Sequence, residues 1–286
     1  MKKTITKLFS VAIIVLTTIS FSACSKQKFH VNGAITDAKD SILYFENISL
    51  KGPVIVDSVK LSSDGTFSFS DDSPHAPEFY RLRINDQIIN LAIDSTETVT
   101  FKAKYPTMPT DYTVEGSYEC SKIKELALLQ ITLTNKALAL EANTELGANA
   151  VRENLKMALN TYKNYVKQYY IFKEPNKAYA YFALFQTLGN YLIFDPQSNR
   201  DDIKVYAAVA TSWDTFYPKS VRGKNLHNIA IEGMKNTRII QARQAQTIDA
   251  SKVSESGIID ISLADNHGKT RTLSSLKGKV VMLDFH

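Results

Sequence analysis

The pattern of apolar and polar positions along the chain first indicates β-structure. Between Phe29 and Val114, short apolar or alternating runs are separated by turn-rich pieces such as SSDG at 62–65. In TFSFS and TVTFKAK every second residue is apolar, so one face of the sheet packs and the other meets water. Short strands at this spacing predict a small antiparallel β-sandwich over residues 24–115. The runs are Ile42–Phe45, Val54–Val59, Thr66–Phe69, Phe79–Ile84, Ile88–Ile93 and Val99–Ala103.

The period changes at about Gly116, where apolar residues begin to recur every three or four positions. This spacing places them on one face of a helix. Breaks fall at Gly147, at Pro175, and at the polar stretches 195–202 and 217–220. We expect a bundle of about five helices over 116–248, followed by a polar linker at 249–257. The helical stripes are Ile123–Leu140, Val151–Tyr169, Tyr179–Leu192, Ile203–Phe216 and Leu226–Ile240.

The pattern returns to β in the last stretch, 258–286. It predicts a hairpin around DNHGK at 265–269, a short turn or helix at LSSLKG, and a strand of the buried type from Val280 to Phe285. Because the hairpin alone would leave one edge and most of one face of that strand open, we expect 258–286 to be disordered in this chain or to borrow a partner surface. The fold class expected is therefore α+β: a sandwich, a helical bundle, and the beginning of a further domain.

The first 23 residues have the layout of a secretory signal peptide. Three lysines precede an apolar run from about Leu8 to Phe21 that is too short to span a bilayer. The run ends in Phe-Ser-Ala-Cys, which resembles a bacterial lipobox. The resemblance implies cleavage before Cys24, lipidation of its thiol, and anchoring to a membrane. Ser25 resembles the residue found in lipoproteins sorted to the outer membrane, which implies a position facing the periplasm. A non-lipidated signal peptide is the alternative.

Composition removes several classes of function. Without residues 1–23 the chain has 31 basic and 29 acidic residues, a net charge of +2, which is no electrostatic signature of nucleic-acid binding. The five histidines are scattered without the paired spacing of a metal site, and no phosphate-binding, dinucleotide-binding or hydrolase motif is present. The sequence therefore predicts no cofactor and no metal.

Candidate residues in the middle of the chain are few. Cys120 precedes an apolar helix with no cysteine or histidine nearby, so a structural thiol is favoured over a redox one. Asp71-Asp72 and Asp201-Asp202 invite a calcium interpretation, but neither pair has enough ligands, and the second is typical of a helix start. Most aromatics of the helical region lie on the helical stripes and are expected in the core. The tyrosines expected to form an exposed patch are Tyr169, Tyr170, Tyr179 and Tyr181.

The string LSSLKGKVVMLDF at 273–285 resembles the entry to thioredoxin-like domains of envelope thiol–disulfide interchange and peroxiredoxin-type proteins. There a similar strand leads into a redox Cys-x-x-C. The resemblance implies that Asp284 occupies the position of a buried proton-relay aspartate, whereas His286 stands where the family usually has tryptophan. No Cys-x-x-C is present, so we expect the chain to lack reductase activity and the reading frame to continue past His286.

Two functions follow as hypotheses. The first is the front portion of a thioredoxin-like envelope lipoprotein. The second is a non-enzymatic binding or assembly lipoprotein, in which the sandwich and the helices hold a protein or glycan partner.

Overall fold

A computed structural model describes residues 27–245 and 260–282. The chain divides into two compact units, 1–234 and 235–286. The expected α+β class is confirmed: strands come first and helices follow. In chain order the strands of the first unit are β1 (Lys28–Thr36), β2 (Ile42–Ser49), β3 (Gly52–Lys60), β4 (Thr66–Asp72), β5 (Glu78–Ile84), β6 (Gln87–Ile93), β7 (Thr98–Lys104) and β8 (Tyr112–Glu115).

These eight strands form two four-stranded sheets. Sheet 1 has the order β4-β1-β7-β8, and sheet 2 has the order β3-β2-β5-β6. Neighbouring strands are antiparallel except β1 and β7, which run parallel and join the beginning of the sandwich to its end. Buried residues of both sheets share one apolar core, with Val31 and Phe101 from sheet 1 and Leu82 from sheet 2.

Alternation along the strands is the reason that one face packs. In β4, Phe67 and Phe69 are buried while the residues on either side of each are exposed. At Gly33 a Cβ atom would lie 1.8 Å from the carbonyl oxygen of Phe101, so only glycine permits β1 and β7 to approach this closely.

Within residues 27–245, five α-helices follow the sandwich. They are α1 (Tyr118–Ala142), α2 (Ala148–Val166), α3 (Ala178–Leu184), α4 (Arg200–Phe216) and α5 (Val221–Ala245). A π-helical turn, Lys167–Ile171, extends α2. The start of α4 confirms the interpretation of Asp201-Asp202, because the Asn199 side chain caps the helix by accepting from both backbone amides.

The predicted helix over Tyr179–Leu192 is wrong in its second half. The helix ends at Leu184, and a two-stranded hairpin follows, with β9 at Thr187–Leu188 and β10 at Tyr191–Leu192. Gly189 adopts φ 59° at the turn. The buried Gln186 donates to the carbonyl of Leu126 at 2.9 Å and accepts from the Tyr162 hydroxyl at 2.5 Å. These hydrogen bonds to distant residues stabilise the end of the helix. The sequence pattern does not predict them, because it reflects only neighbouring positions.

The second unit contains the hairpin expected around DNHGK. Its strands are β11 (Ser262–Ala264) and β12 (Thr270–Thr272), and a 3₁₀ turn at Leu273–Leu276 follows them. The buried strand expected at Val280–Phe285 is not formed in its described part. Val280, Val281 and Met282 have no regular secondary structure, and Val280 and Met282 are fully exposed. A strand is buried only when neighbouring strands cover its edges.

Candidate functional site

The two faces of β5 have different chemistry. Tyr80, Leu82 and Ile84 point into the sandwich core. The alternate residues, among them Phe79 and Arg81, lie on the outer face of sheet 2. Phe79 belongs to the apolar core of the helical region, so helices cover this end of the outer face. The remainder of the outer face carries polar side chains.

A buried carboxylate organises this polar part. Glu46 on β2 lies opposite Arg81 in the sheet register, and it is only 4% exposed. The Nε atom of Arg81 donates to Glu46 Oε2 at 2.5 Å, and Arg83 donates to Oε1 through a terminal nitrogen at 2.7 Å. The Arg83 guanidinium also stacks on the Tyr44 ring, 4.5 Å from its centroid. Glu46 therefore fixes the orientation of two arginine head groups.

The ionisation of Glu46 follows from these partners. Hydrogen bonding from Arg83 holds the pKa of the Glu46 carboxyl below its ordinary value, with a further contribution from Arg81 and against the opposing effect of burial. The same contact raises the pKa of Arg83. The site thus holds one carboxylate between two guanidinium cations, which leaves a positive excess on this face.

A pocket of about 380 Å³ lies where the outer face of sheet 2 meets α3 and α5. Its aromatic side is built around Tyr181, whose ring lies 5.1 Å from that of Phe79 and 4.8 Å from that of Phe185. Pockets of this size with a mostly apolar lining and a few polar groups are typical of ligand sites. The full lining is Ile48, Ser49, Leu50, Phe79, Tyr80, Asn90, Leu91, Tyr181, Phe182, Phe185, Arg222 and Asn225.

Arg222, at the start of α5, forms the charged wall of the pocket. It is buried, and its Nε donates to Glu78 Oε2 at 2.9 Å while a terminal nitrogen donates to the Ile48 carbonyl. Its guanidinium lies 5.0 Å from the centroid of the Phe79 ring. Burial raises the pKa of Tyr181, and the neighbouring Arg222 opposes that rise. Because Glu78 neutralises Arg222, this wall is polar without carrying a net charge.

Asn90 joins the pocket to the polar part of the face. It lies directly opposite Arg81 in the β5–β6 register, so the two side chains share one face. Asn90 also lines a second, smaller pocket of about 230 Å³ on the side of α1, together with Tyr112 and Gln130. The cleft, as we name it here, consists of the 380 Å³ pocket and the adjoining row Glu46, Arg81 and Asn90.

Of the residues singled out by sequence reasoning, only Tyr181 is among the described residues that line the pocket. Cys24 and Asp284 are outside the described residues. Cys120 is buried at the start of α1, its thiol bonded to the Ala92 carbonyl at 3.2 Å, and burial raises the pKa of that thiol to about 12. A thiol in this environment is not a nucleophile at neutral pH, which supports the structural interpretation.

The expected exposed tyrosine patch is wrong for three of its four members. Tyr169 is 51% exposed, but Tyr170, Tyr179 and Tyr181 are buried. The π-helical turn changes the direction of Tyr170, whose hydroxyl donates to Glu125 at 2.8 Å. Six of the seven residues of α3 are buried. An amphipathic pattern would instead predict one exposed face. Tyr181 instead lines the pocket of the cleft.

Sequence reasoning missed every charged residue of the cleft. A signal was present in EFYRLRI at 78–84, where two arginines alternate with apolar residues on the uncovered face of a strand. Arg222 gave no signal, because its partners are more than a hundred residues away in the chain.

Two searches of the described residues bear on other kinds of site. No group of three or more histidine, cysteine or acidic side chains suited to a metal ion occurs within 27–245 and 260–282, a range that includes both aspartate pairs. Within the same residues, no helix combines the length and apolar character needed to cross a bilayer.

Comparison with known families gives one result. A model described as "Domain of unknown function (DUF4369)" matches residues 29–122. The match covers the sandwich and the first residues of α1, and therefore includes Glu46, Arg81 and Asn90 of the cleft, while the helical wall lies beyond it. No curated protein matches the chain.

Proposed function

We propose that this protein is a non-enzymatic binding module whose ligand site is the cleft. The observation that carries the proposal is the 380 Å³ pocket, in which aromatic side chains of β5 and α3 are joined by the buried Arg222. Such a surface binds an apolar group and orients it through a few hydrogen bonds. Among the described residues, the groups beside it are arginines, carboxylates held by arginines, and amides, which suit recognition better than bond cleavage.

Filling the pocket tests this proposal. Asn225 lines the pocket on α5, and Asn225→Trp should occupy the space. Lys224→Trp is the matched control, since Lys224 is the preceding residue, is exposed, and is not part of the lining. The full-length proteins would be used to capture peptides and glycans from envelope extract, with mass spectrometry as the readout.

The expected result is that ligands retained by the wild type and by Lys224→Trp are lost with Asn225→Trp. Equal capture by all three proteins, with Asn225→Trp folded by circular dichroism, would contradict a ligand site in the cleft.

We also propose that the module is anchored to the envelope through lipidated Cys24, facing the periplasm. The support is the sequence alone, through the order of lysines, apolar run and lipobox-like end. Cys24→Ser should abolish incorporation of an alkyne fatty acid and release the protein from membranes. Labelling of the variant equal to that of the wild type would refute the anchor.

A second candidate function is favoured by the hairpin of the second unit. We propose that residues 258–286 are the opening segment of a thioredoxin-like domain, in which Asp284 is the proton-relay position. The agreement of β11, β12 and the 3₁₀ turn with the order of elements expected for that segment supports it. The nucleotide sequence after codon 286 is the decisive measurement: an immediate stop codon would refute the proposal. The 286-residue chain itself should show no disulfide reductase turnover, because it contains no Cys-x-x-C.

A further inference from the structure

We infer that the cleft recognises the carboxyl-terminal residue of a peptide, with the α-carboxylate bound by Arg81 and an apolar terminal side chain in the 380 Å³ pocket. This inference rests on the proposed binding function and assigns a ligand class to it.

Arg81 has terminal N–H donors that are available to a ligand. Its Nε bonds Glu46, and within the part of the chain that the structure describes its two terminal nitrogens donate to no protein group. Arg83 differs, because its Nε and both terminal nitrogens bond either Glu46 or the Asn85 carbonyl. A guanidinium held by a buried carboxylate through Nε alone presents its terminal N–H groups in a fixed orientation. That arrangement suits a carboxylate.

The side chains around the cleft carry an excess of positive charge. Arg81 and Arg83 lie on this face, and Arg222 lines the 380 Å³ pocket. Lys51 lines a further pocket, which it shares with Arg222 and Glu78. These four cations are opposed by two carboxylates, Glu46 and Glu78. The net charge of this set is +2. An anionic ligand group is therefore favoured here, and a cationic one is disfavoured.

Arg81, the proposed carboxylate-binding residue, lies within the reach of one amino-acid residue from the pocket. Phe79 of the pocket and Arg81 are two positions apart on one strand and share its outer face. Residues so placed have Cα atoms about 7 Å apart. A single terminal residue such as phenylalanine or leucine spans a comparable distance between its carboxylate and the end of its side chain. One residue can therefore contact both parts.

The polar side chains of the pocket favour a peptide over other apolar carboxylates. Two side-chain amides, Asn90 and Asn225, line the pocket together with Ser49. Side-chain amides both donate and accept, which matches the N–H and C=O groups of a peptide backbone, whereas an alkyl chain would leave them without partners. A peptide satisfies the polar rim and the apolar floor together.

The test measures the anisotropy of peptides labelled at the amino terminus, titrated with the purified full-length chain. The probes are Gly-Ser-Gly-Ser-Phe with a free carboxylate, the same peptide amidated, and the free-acid peptide ending in alanine. The proteins are the wild type, Arg81→Gln, and Lys104→Gln as control. Lys104 is an exposed cation of sheet 1 that pairs with Asp37.

The free-acid phenylalanine peptide should bind the wild type at least about tenfold more tightly than the amidated peptide, because amidation removes the anion that Arg81 binds. It should exceed the alanine peptide by a similar factor, because alanine leaves the apolar pocket unfilled. Arg81→Gln should abolish the preference for acid over amide, and Lys104→Gln should preserve it. Acid and amide peptides that bind the wild type equally would overturn the inference while leaving a binding cleft in place. Absence of binding by every peptide would also overturn it, and the pocket-filling experiment then decides separately whether the cleft has another ligand.

Discussion

The inner and outer faces of sheet 2 use the same strands for different purposes. On the inner face, Leu82 and its neighbours lie in an uninterrupted apolar core. On the outer face, helices cover only the part around Phe79, and the remainder holds Glu46 between two arginines. One face therefore contributes stability by burial, and the other holds charged groups in fixed positions at the edge of a pocket. The binding function that we propose for this sheet depends on the incomplete coverage of its outer face by helices.

The largest effect we expect is on the rate at which Cys120 is alkylated, and it tests how tightly α1 closes the sandwich core, to which Cys120 belongs. The Cys120 thiol is bonded to the Ala92 carbonyl on β6 and is buried. Its reaction with iodoacetamide at pH 8 should be at least about 10³-fold slower than in urea, because the thiol must first be exposed by an opening that costs about 4 kcal/mol or more. The measurement is mass spectrometry of the Cys120 peptide. Rapid labelling of the native protein would show that α1 does not close this part of the sandwich core.

The next effect tests the inner face. Leu82→Ala should lower the free energy of unfolding by about 2–5 kcal/mol, because a fully buried leucine leaves a cavity in the sandwich core. Ile55→Ala on β3 is the control, since this side chain is 56% exposed and its loss should change stability by about 0.5 kcal/mol or less. Urea unfolding gives both values. If Leu82→Ala and Ile55→Ala lowered the free energy of unfolding equally, the inner face would not be the part of the sheet that stabilises the fold by burial.

A smaller effect on stability, which depends on pH, tests whether Glu46 is ionised between its two arginines. Glu46→Gln should cost about 1–2 kcal/mol at pH 7, because the hydrogen bonds from three arginine nitrogens, Arg81 Nε and two of Arg83, lose their anion. The folded pKa of Glu46 lies below its ordinary value of 4.5, so its contribution is fully present above that pH and is lost as the pH falls through the folded pKa. The two proteins should therefore converge in stability in acid. A difference that persists unchanged at low pH would contradict an ionised Glu46.

The smallest effect on stability should come from Arg81→Gln, about 1 kcal/mol or less, because Glu46 keeps Arg83 and the Arg81 side chain is partly exposed. This variant separates recognition from stability, since it should remove carboxylate binding while leaving the fold nearly unchanged. Urea unfolding beside the anisotropy assay measures both. A loss of stability as large as that of Leu82→Ala would mean that Arg81 is primarily structural.

Local patterns in the sequence account for most of the order of the elements. Alternation in TFSFS and TVTFKAK identified packed sheet faces, and stripes with a step of three or four residues identified the helices, because burial on one side imposes the period of the local backbone. The cap of α4 and the hairpin around DNHGK were likewise local, since their hydrogen bonds join residues only a few positions apart.

Tertiary structure alone decided the rest. Gln186 ends α3 through bonds to α1 and α2, the π-helical turn directs Tyr170 inward, and Arg222 reaches Glu78 across more than a hundred residues. The arginines of β5 were visible in the sequence, but not the buried Glu46 that orients them or the helices that form a pocket beside them. Periodicity records whether a side chain is buried, whereas a binding site depends on which distant side chains approach one another, and that depends on the packing of sheets and helices.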